Sequence, residues 1–421
     1  MPFLTPWYDF RDLGNAVARM LDALRDAGAP EGVVYVIAAL AACLGILTFI
    51  GATSIINIWV ERRLIARIQV RKGPNRVGPF GLLQPVADAI KLIQKEALTP
   101  RNADSVVFTL APIVIFIPAI LTFAVLPWGE GMVLANLNVG VLYLLALSST
   151  TTIIVFMAGY ASNNKYALLG SMRVIAMLIS YEIPVVLALL GVVAFAGTMN
   201  LGEIVAFQET HRSWILFFQP LAFLIFLVGS TAELNRSPAD IAEAESEIIA
   251  GYHIEYSGMK FGLFYAVELV NAVAVSAIMA SLFLGGWWTF GLNEWVPGWL
   301  LFIGKIYLFY FILIWFRGTL PRFRIDQLMA FAWKFLLPLS LVNVMLVSVE
   351  VFIWRQNEIS AGIVLPIFAV VNLVLAGLLI AGFARMLTSG YERFPRRARL
   401  VKEINVPLPA ADEQRTTGAP A

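Results

Sequence analysis

Nine predominantly apolar stretches recur along the 421-residue chain, at roughly 33–60, 105–126, 139–160, 174–197, 214–232, 261–284, 299–316, 335–353 and 363–384. A helix needs about 20 such residues to cross the hydrocarbon core of a bilayer. Lipid offers the backbone no hydrogen-bonding partner, so a single-segment span has to be helical. Composition agrees: 59% of residues are hydrophobic, 14% are charged and the mean hydropathy is +0.79, against about 25% charged residues in soluble domains. The expected fold is therefore all-α, a polytopic helical membrane protein. Pro112, Pro118, Pro184 and Pro220 are compatible with it, because packed neighbours can satisfy the carbonyls they free.

The loops predict an orientation. Arg11, Arg19, Arg25, Arg212 and Arg355 fall on the side of the N-terminus, Lys305 falls within a span, and all other Lys and Arg fall on the opposite side. Basic residues mark the cytoplasmic side, so the N-terminus is expected outside and the C-terminus in the cytoplasm. Residues 1–30 carry scattered charges without a compact apolar run, which argues against a cleavable signal peptide. Within the first inner loop, Leu82, Val86, Ile90 and Ile93 recur at helical spacing with Asp88, Lys91, Lys95 and Glu96 among or beyond them. That pattern predicts a surface amphipathic helix over 81–97. The expected organisation is an outer segment 1–32, a core 33–354, a further transmembrane helix 363–384 and a cytoplasmic tail 385–421 with a basic start and a polar, proline-containing end. No internal repeat is visible, which argues against a transporter built from duplicated halves.

Redox centres are narrowly bounded. Cys43 is the single cysteine, so a disulfide and a four-thiolate iron–sulfur cluster are both excluded. His211 and His253, the two histidines, fall on opposite sides of the expected topology, which excludes a bis-histidine haem. The chain is expected to bind no cofactor itself.

The unusual feature is the density of ionisable groups in or beside apolar spans. Each costs about 2.5–3.5 kcal/mol on insertion scales and normally needs a partner or a wet cavity. Glu182, Glu268 and Lys305 lie inside expected spans, and Glu233 and Arg317 lie at inner ends. Asp104 and Glu350 read as boundary residues without a role. In the third inner loop, 232–258, a helix over 239–250 would place Asp240, Glu243 and Glu247 on one face, with Glu245 projecting elsewhere. Clustered carboxylates disfavour one another's ionisation and come to share protons. This loop reads either as the start of a proton path or as an acidic, solvated face. The basic loops offer Arg62, Arg63, Arg71, Arg317, Arg322 and Arg324, either as partners for those carboxylates or as ordinary inside-positive charge. Gly73, Pro74, Gly78 and Pro79 specify a rigid turn, since no strand–loop–helix context for a phosphate loop surrounds them. Physical reasoning alone leaves a transporter and an oxidoreductase subunit both open.

Four segments narrow the choice: ERRLIARIQVRKGPNRVGPFGLLQPVADAIKLIQKE (61–96), GYASNNKYALLGSMRVIAMLISYEIP (159–184), AELNRSPADIAEAESEIIAGYHIEYSGMKF (232–261) and WFRGTLPRFRIDQLMAFAWKFLLP (315–338). Together they resemble the eight-helix membrane subunit at the junction of the two arms of respiratory complex I, over residues of about 45–350. The ninth span would be an addition to that core, packing against a neighbour or lipid.

The resemblance implies a subunit of a proton-pumping NADH–quinone oxidoreductase that forms the floor and mouth of a quinone chamber. Two peripheral-arm subunits would roof the chamber, FMN and the iron–sulfur clusters would sit on partner subunits, and antiporter-like membrane subunits would receive the signal. Arg62, Arg71, Asp88, Arg236, Asp240, Glu243, Glu245 and Glu247 would belong to the chamber and its coupling loop. Glu182, Glu233, Glu268, Lys305 and Arg317 would form the proton pathway, with Arg322, Arg324 and Asp326 as a structural charged loop. Met177, Ala239 and Ile325 stand where the family pattern often has glutamine, phenylalanine and tyrosine, departures that either tune the chamber for a different quinone or are neutral. A related membrane subunit of a hydrogenase-type or ferredoxin- or F420-dependent complex is the alternative; a free-standing transporter fits less well. A bacterial inner membrane is the expected location.

Overall fold

The computed structural model describes residues 22, 25, 26, 28, 30–241, 250–356 and 361–392, and the regular elements among them are all helices. The N-terminal residues 1–21, Glu243, Glu245, Glu247 and the tail beyond 392 lie outside the described residues. The chain divides into two units, Met1–Asn372 and Leu373–Ala421.

The first helix, α1 (Glu31–Ile68), has 38 residues, about 57 Å at 1.5 Å per residue, and so outruns a hydrocarbon core of about 30 Å. The helix thus runs eight residues past the end of the apolar stretch expected at 33–60. Glu61, Arg62 and Arg63 are helical, as straight-chain residues tolerate well, and the helix closes only where Val70 turns left-handed (φ 55°). The expected turn follows and folds back on the end of α1: a Cβ on Gly81 would lie 2.4 Å from the Pro74 carbonyl oxygen. The surface helix α2 (Gln84–Gln94) leaves Ile90 and Ile93 exposed and packs on α1 and α10.

Helices α3 (Ser105–Val114) and α4 (Phe116–Val125) form one span, interrupted at Ile115. Pro118 has no N–H for the Val114 carbonyl four residues back, which accounts for the break. Asp104 proves to be the N-cap of α3, accepting from the Val106 and Val107 amides at 3.2 and 3.4 Å. Helix α5 (Gly140–Ala161) is followed by α6 (Lys165–Ala196), which Asn164 caps and which begins well before residue 174.

After the short α7 (Leu201–Thr210) and α8 (Ile215–Phe218), Gln219 leaves helical geometry (φ −131°, ψ 58°) and α9 (Pro220–Glu233) starts afresh. The apolar stretch expected at 214–232 is thus interrupted at Gln219. The residue before a proline is pushed out of the helical region, leaving α9 with 14 residues, about 21 Å. Next come α10 (Gly258–Phe283), α11 (Gly298–Thr319) and α12 (Ile325–Phe331). A π-helical turn, Ala332–Leu336, leads into α13 (Leu337–Gln356). Pro338 cannot bond the carbonyl of Lys334, four residues back, and the wider turn absorbs the misfit. The last helix is α14 (Ala361–Glu392).

Among the described residues, eight spans are long and apolar enough to cross a membrane, and α9 is a shorter apolar helix. Within the first unit, α6 packs against α5, α9 and α13, while α10 packs against α11, α4, α2 and α1. Apolar residues such as Val174, Met177, Ala188, Val192 and Phe195 are fully enclosed on α6. Leu40, Leu44 and Leu47 of α1 face outward, as expected where the solvent is lipid.

Candidate functional site

Arg236 is the largest fully buried side chain, 1% exposed. An isolated ion there would be prohibitive, so its partners define the site. Its Nη2 stands 3.3 Å from Glu61 Oε2 and its Nε 3.7 Å from Glu268 Oε1. The Tyr310 hydroxyl donates to Glu61 Oε2 at 3.2 Å, and Arg236 lies over the Tyr310 ring at 5.6 Å. Arg317 donates to Glu61 Oε1. Two carboxylates, from α1 and α10, are thus matched by two guanidiniums, from the loop after α9 and from α11.

Glu268 also faces a cavity of about 60 Å³, lined by Glu233, Asn235, Tyr252, His253, Thr151 and Asn271 together with apolar side chains. A second cavity, of about 90 Å³, is lined by Glu182, Glu233, Ser148, Thr151, Thr152 and Asn271. Glu233, Thr151 and Asn271 border both. One water needs roughly 10–15 Å³ of such space, so each cavity holds several. Ser149 donates to Glu182, and Glu233 Oε1 is buried with no partner among the described residues. A row Glu182–Glu233–Glu268 thus borders two adjoining cavities with Glu233 on both, and ends on the Arg236–Glu61–Arg317 cluster.

Of the residues expected at the chamber, Arg62, Arg71 and Asp88 gather around the end of α1. Arg62 pairs with Asp88 at 2.5 Å, and Gln84 donates to the same carboxylate at 3.1 Å. Burial would raise the Asp88 carboxyl, but the Arg62 and Gln84 hydrogen bonds and the charges of Arg62 and Lys91 hold it below its usual range. Arg62 and Arg71 line one cavity of about 290 Å³ with Ile65 and Pro74, and Arg71 Nε donates to Gln69 at 2.6 Å. Asp240 pairs with Arg322 at 3.6 Å.

Other expected site residues stand elsewhere. Arg324 and Asp326 are exposed at the start of α12 and do not pair with each other. Lys305 lines neither cavity; its three donors all go to main-chain carbonyls, of Leu284 and Gly286 at 2.7 Å and Trp288 at 2.6 Å. Glu350, expected to have no role, is buried and accepts from Asn372 at 3.0 Å.

Residues 41–348 match the family model described as NADH dehydrogenase. The chain belongs to that family. It is 53% identical over 332 residues to a NADH-quinone oxidoreductase subunit of Dehalococcoides mccartyi (strain CBDB1), covering 78% of this chain and 91% of that relative. It is 46% identical over 322 residues to the subunit of the same name in Carboxydothermus hydrogenoformans, covering 75% and 90%. With its namesake in Geobacillus kaustophilus the identity is 52% over 294 residues, covering 70% and 88%. Membership of this family and the apolar helices make the chain a multi-pass membrane protein.

Glu61, Tyr310 and His253 escaped the sequence reading. For Glu61 a signal existed: Thr53, Asn57 and Glu61 repeat every four residues on α1 and all three are buried, a polar stripe inside an apolar helix. Nothing local in the sequence marks Tyr310, whose role depends on a partner 249 residues away.

Proposed function

We propose that this chain is the membrane subunit of an NADH–quinone oxidoreductase that forms the floor of the quinone chamber and starts the proton pathway. The observation carrying the proposal is the glutamate row along two adjoining cavities that share Glu233, terminated by the buried Arg236–Glu61–Arg317 cluster. Family membership and relatives named as NADH-quinone oxidoreductase subunits support the assignment to this class of complex.

In this reading the chain transfers no electrons. Electrons reach the quinone from an iron–sulfur cluster of a partner subunit, and the reduced quinone takes up protons at the chamber. Arg62, Arg71 and Asp88 shape the mouth, with Asp88 ionised by its partners and anchoring α2 to α1. Asp240, held by Arg322, and the carboxylates Glu243, Glu245 and Glu247 link the chamber to the cavities. Arg236 sits between Glu268 and Glu61, so a change of charge on either carboxylate alters its hold on the other. Waters in the cavities pass protons along Glu268, Glu233 and Glu182, and antiporter-like partner subunits take up the displacement. Arg317 fixes Glu61, Lys305 holds the 284–288 turn, and Arg324 and Asp326 belong to the exposed charged loop. The N-terminus is outside and the chamber faces the cytoplasm of a bacterial inner membrane.

The test is NADH-dependent reduction of a short-chain quinone by membranes carrying Glu233→Gln, Glu182→Ala or Asp240→Asn, with assembly checked on native gels. Glu233→Gln keeps the shape and removes the proton carrier, so activity is expected to fall by about a hundredfold or more with assembly intact. Parental activity in an assembled Glu233→Gln complex would refute the pathway.

A further inference from the structure

The cavity between Glu233 and Glu268 has one wall that the proton pathway above does not use. His253 ends the short 3-10 turn Gly251–His253 and is 9% exposed, and it lines the same cavity as both glutamates. Neither ring nitrogen has a hydrogen-bonding partner among the described residues, although an imidazole always carries a donor and, when neutral, an acceptor as well. Buried polar groups are satisfied by protein or by water, so the ring is served by the water that the cavity accommodates.

The turn is held on several sides. A Cβ on Gly170 of α6 would lie 2.8 Å from Gly251 Cα, so helix and turn meet backbone to backbone. Tyr252 packs edge-on against Phe264 at 5.4 Å, and the His253 ring sits 5.3 Å from Phe261. The His253 carbonyl accepts from the Tyr256 amide at 3.0 Å, and Tyr256 stacks on Phe108 at 4.0 Å. A ring that only filled space would not need a polar cavity on its free side. In the sequence it follows directly on the segment carrying Glu243, Glu245 and Glu247.

We propose that His253 is a proton-relay residue serving the cavity of Glu233 and Glu268; the inference rests on the proton-pathway reading above. The neutral ring accepts a proton from a water at its bare nitrogen and releases the proton of the other nitrogen to a second water. One N–H bond forms as one breaks, no net charge remains, and the ring resets by exchanging its nitrogens or by the reverse transfer. The charged groups bordering this route are Glu233 and Glu268 on the cavity, with Arg236 held against Glu268. Burial pushes the His253 imidazole down to about 4, so at neutral pH it passes protons without storing one.

The experiment uses the whole complex in membranes carrying His253→Ala, His253→Asn or Glu233→Gln, with assembly checked on native gels. NADH-dependent quinone reduction and protons moved per NADH are measured with and without added imidazole. His253→Ala is expected to lose about tenfold or more in rate and to regain it in proportion to the imidazole added, since the truncation leaves room for the base. His253→Asn, which fills much of that space without relaying, stays slow and does not respond. Should His253→Ala fail to assemble, a slow His253→Asn complex supports the relay. Parental rates in either variant overturn it, as does a slow His253→Ala complex indifferent to imidazole. If Glu233→Gln is also fully active, the fault lies with the pathway itself; if only the His253 variants are active, the relay alone falls.

Discussion

A single buried carboxylate carries much of the electrostatic balance. Glu61 answers both Arg236 and Arg317, and removing one member of a buried ion pair typically costs about 3–5 kcal/mol. Glu61→Gln is therefore expected to lower the thermal stability and yield of the assembled complex. The double variant Glu61→Leu with Arg236→Met should recover yield but not activity, as native gels and reductase assays will report. His253 gives a pH dependence of defined sign. Its folded value of about 4 lies below the unfolded value of about 6.5, so the unfolded chain binds the extra proton first. The stability it contributes is complete above about pH 6.5 and is lost as the pH falls towards 4. Melting curves between those limits should be flatter for His253→Asn than for the parent, and an unchanged slope would mean that other groups dominate.

At the level of elements, prolines decide where spans break. Pro118, Pro220 and Pro338 each stand beside an interruption, whereas Pro184 lies within the continuous α6. The sequence displays all four, but whether neighbours tolerate the missing hydrogen bond is a matter of packing. Close approach is equally decisive between α6 and the 251–253 turn. Gly170→Ala would drive its Cβ to within 2.8 Å of Gly251 Cα; overpacking of this kind costs about 1–3 kcal/mol. The variant is expected to displace His253 as well, so its reductase activity should fall more than its melting temperature implies. Activity that merely tracks the amount of assembled complex would show that the turn tolerates the shift.

On the scale of the whole molecule, the orientation is testable by labelling. In a Cys43→Ser background, a membrane-impermeant maleimide should reach Arg76→Cys only in inside-out vesicles and Arg212→Cys only in right-side-out ones. Both positions are exposed, so the chain itself shields neither. Labelling from the same side would overturn the topology and with it the placement of the chamber.

The helical membrane class, the places of most spans and the charge asymmetry between the two sides were legible in the sequence. These follow from local composition, because a bilayer penalises polar backbone and charge residue by residue. Glu182, Glu233 and Glu268 were legible for the same reason, as costly groups inside or beside apolar runs. Their company came from packing: the adjoining cavities they line, the carbonyl cage that occupies Lys305, and the partner of Arg236 at Glu61, 175 residues away. A buried charge is tolerable only where its counter-charges and hydrogen bonds meet, and that meeting is made by the packing of distant helices, which no local pattern encodes.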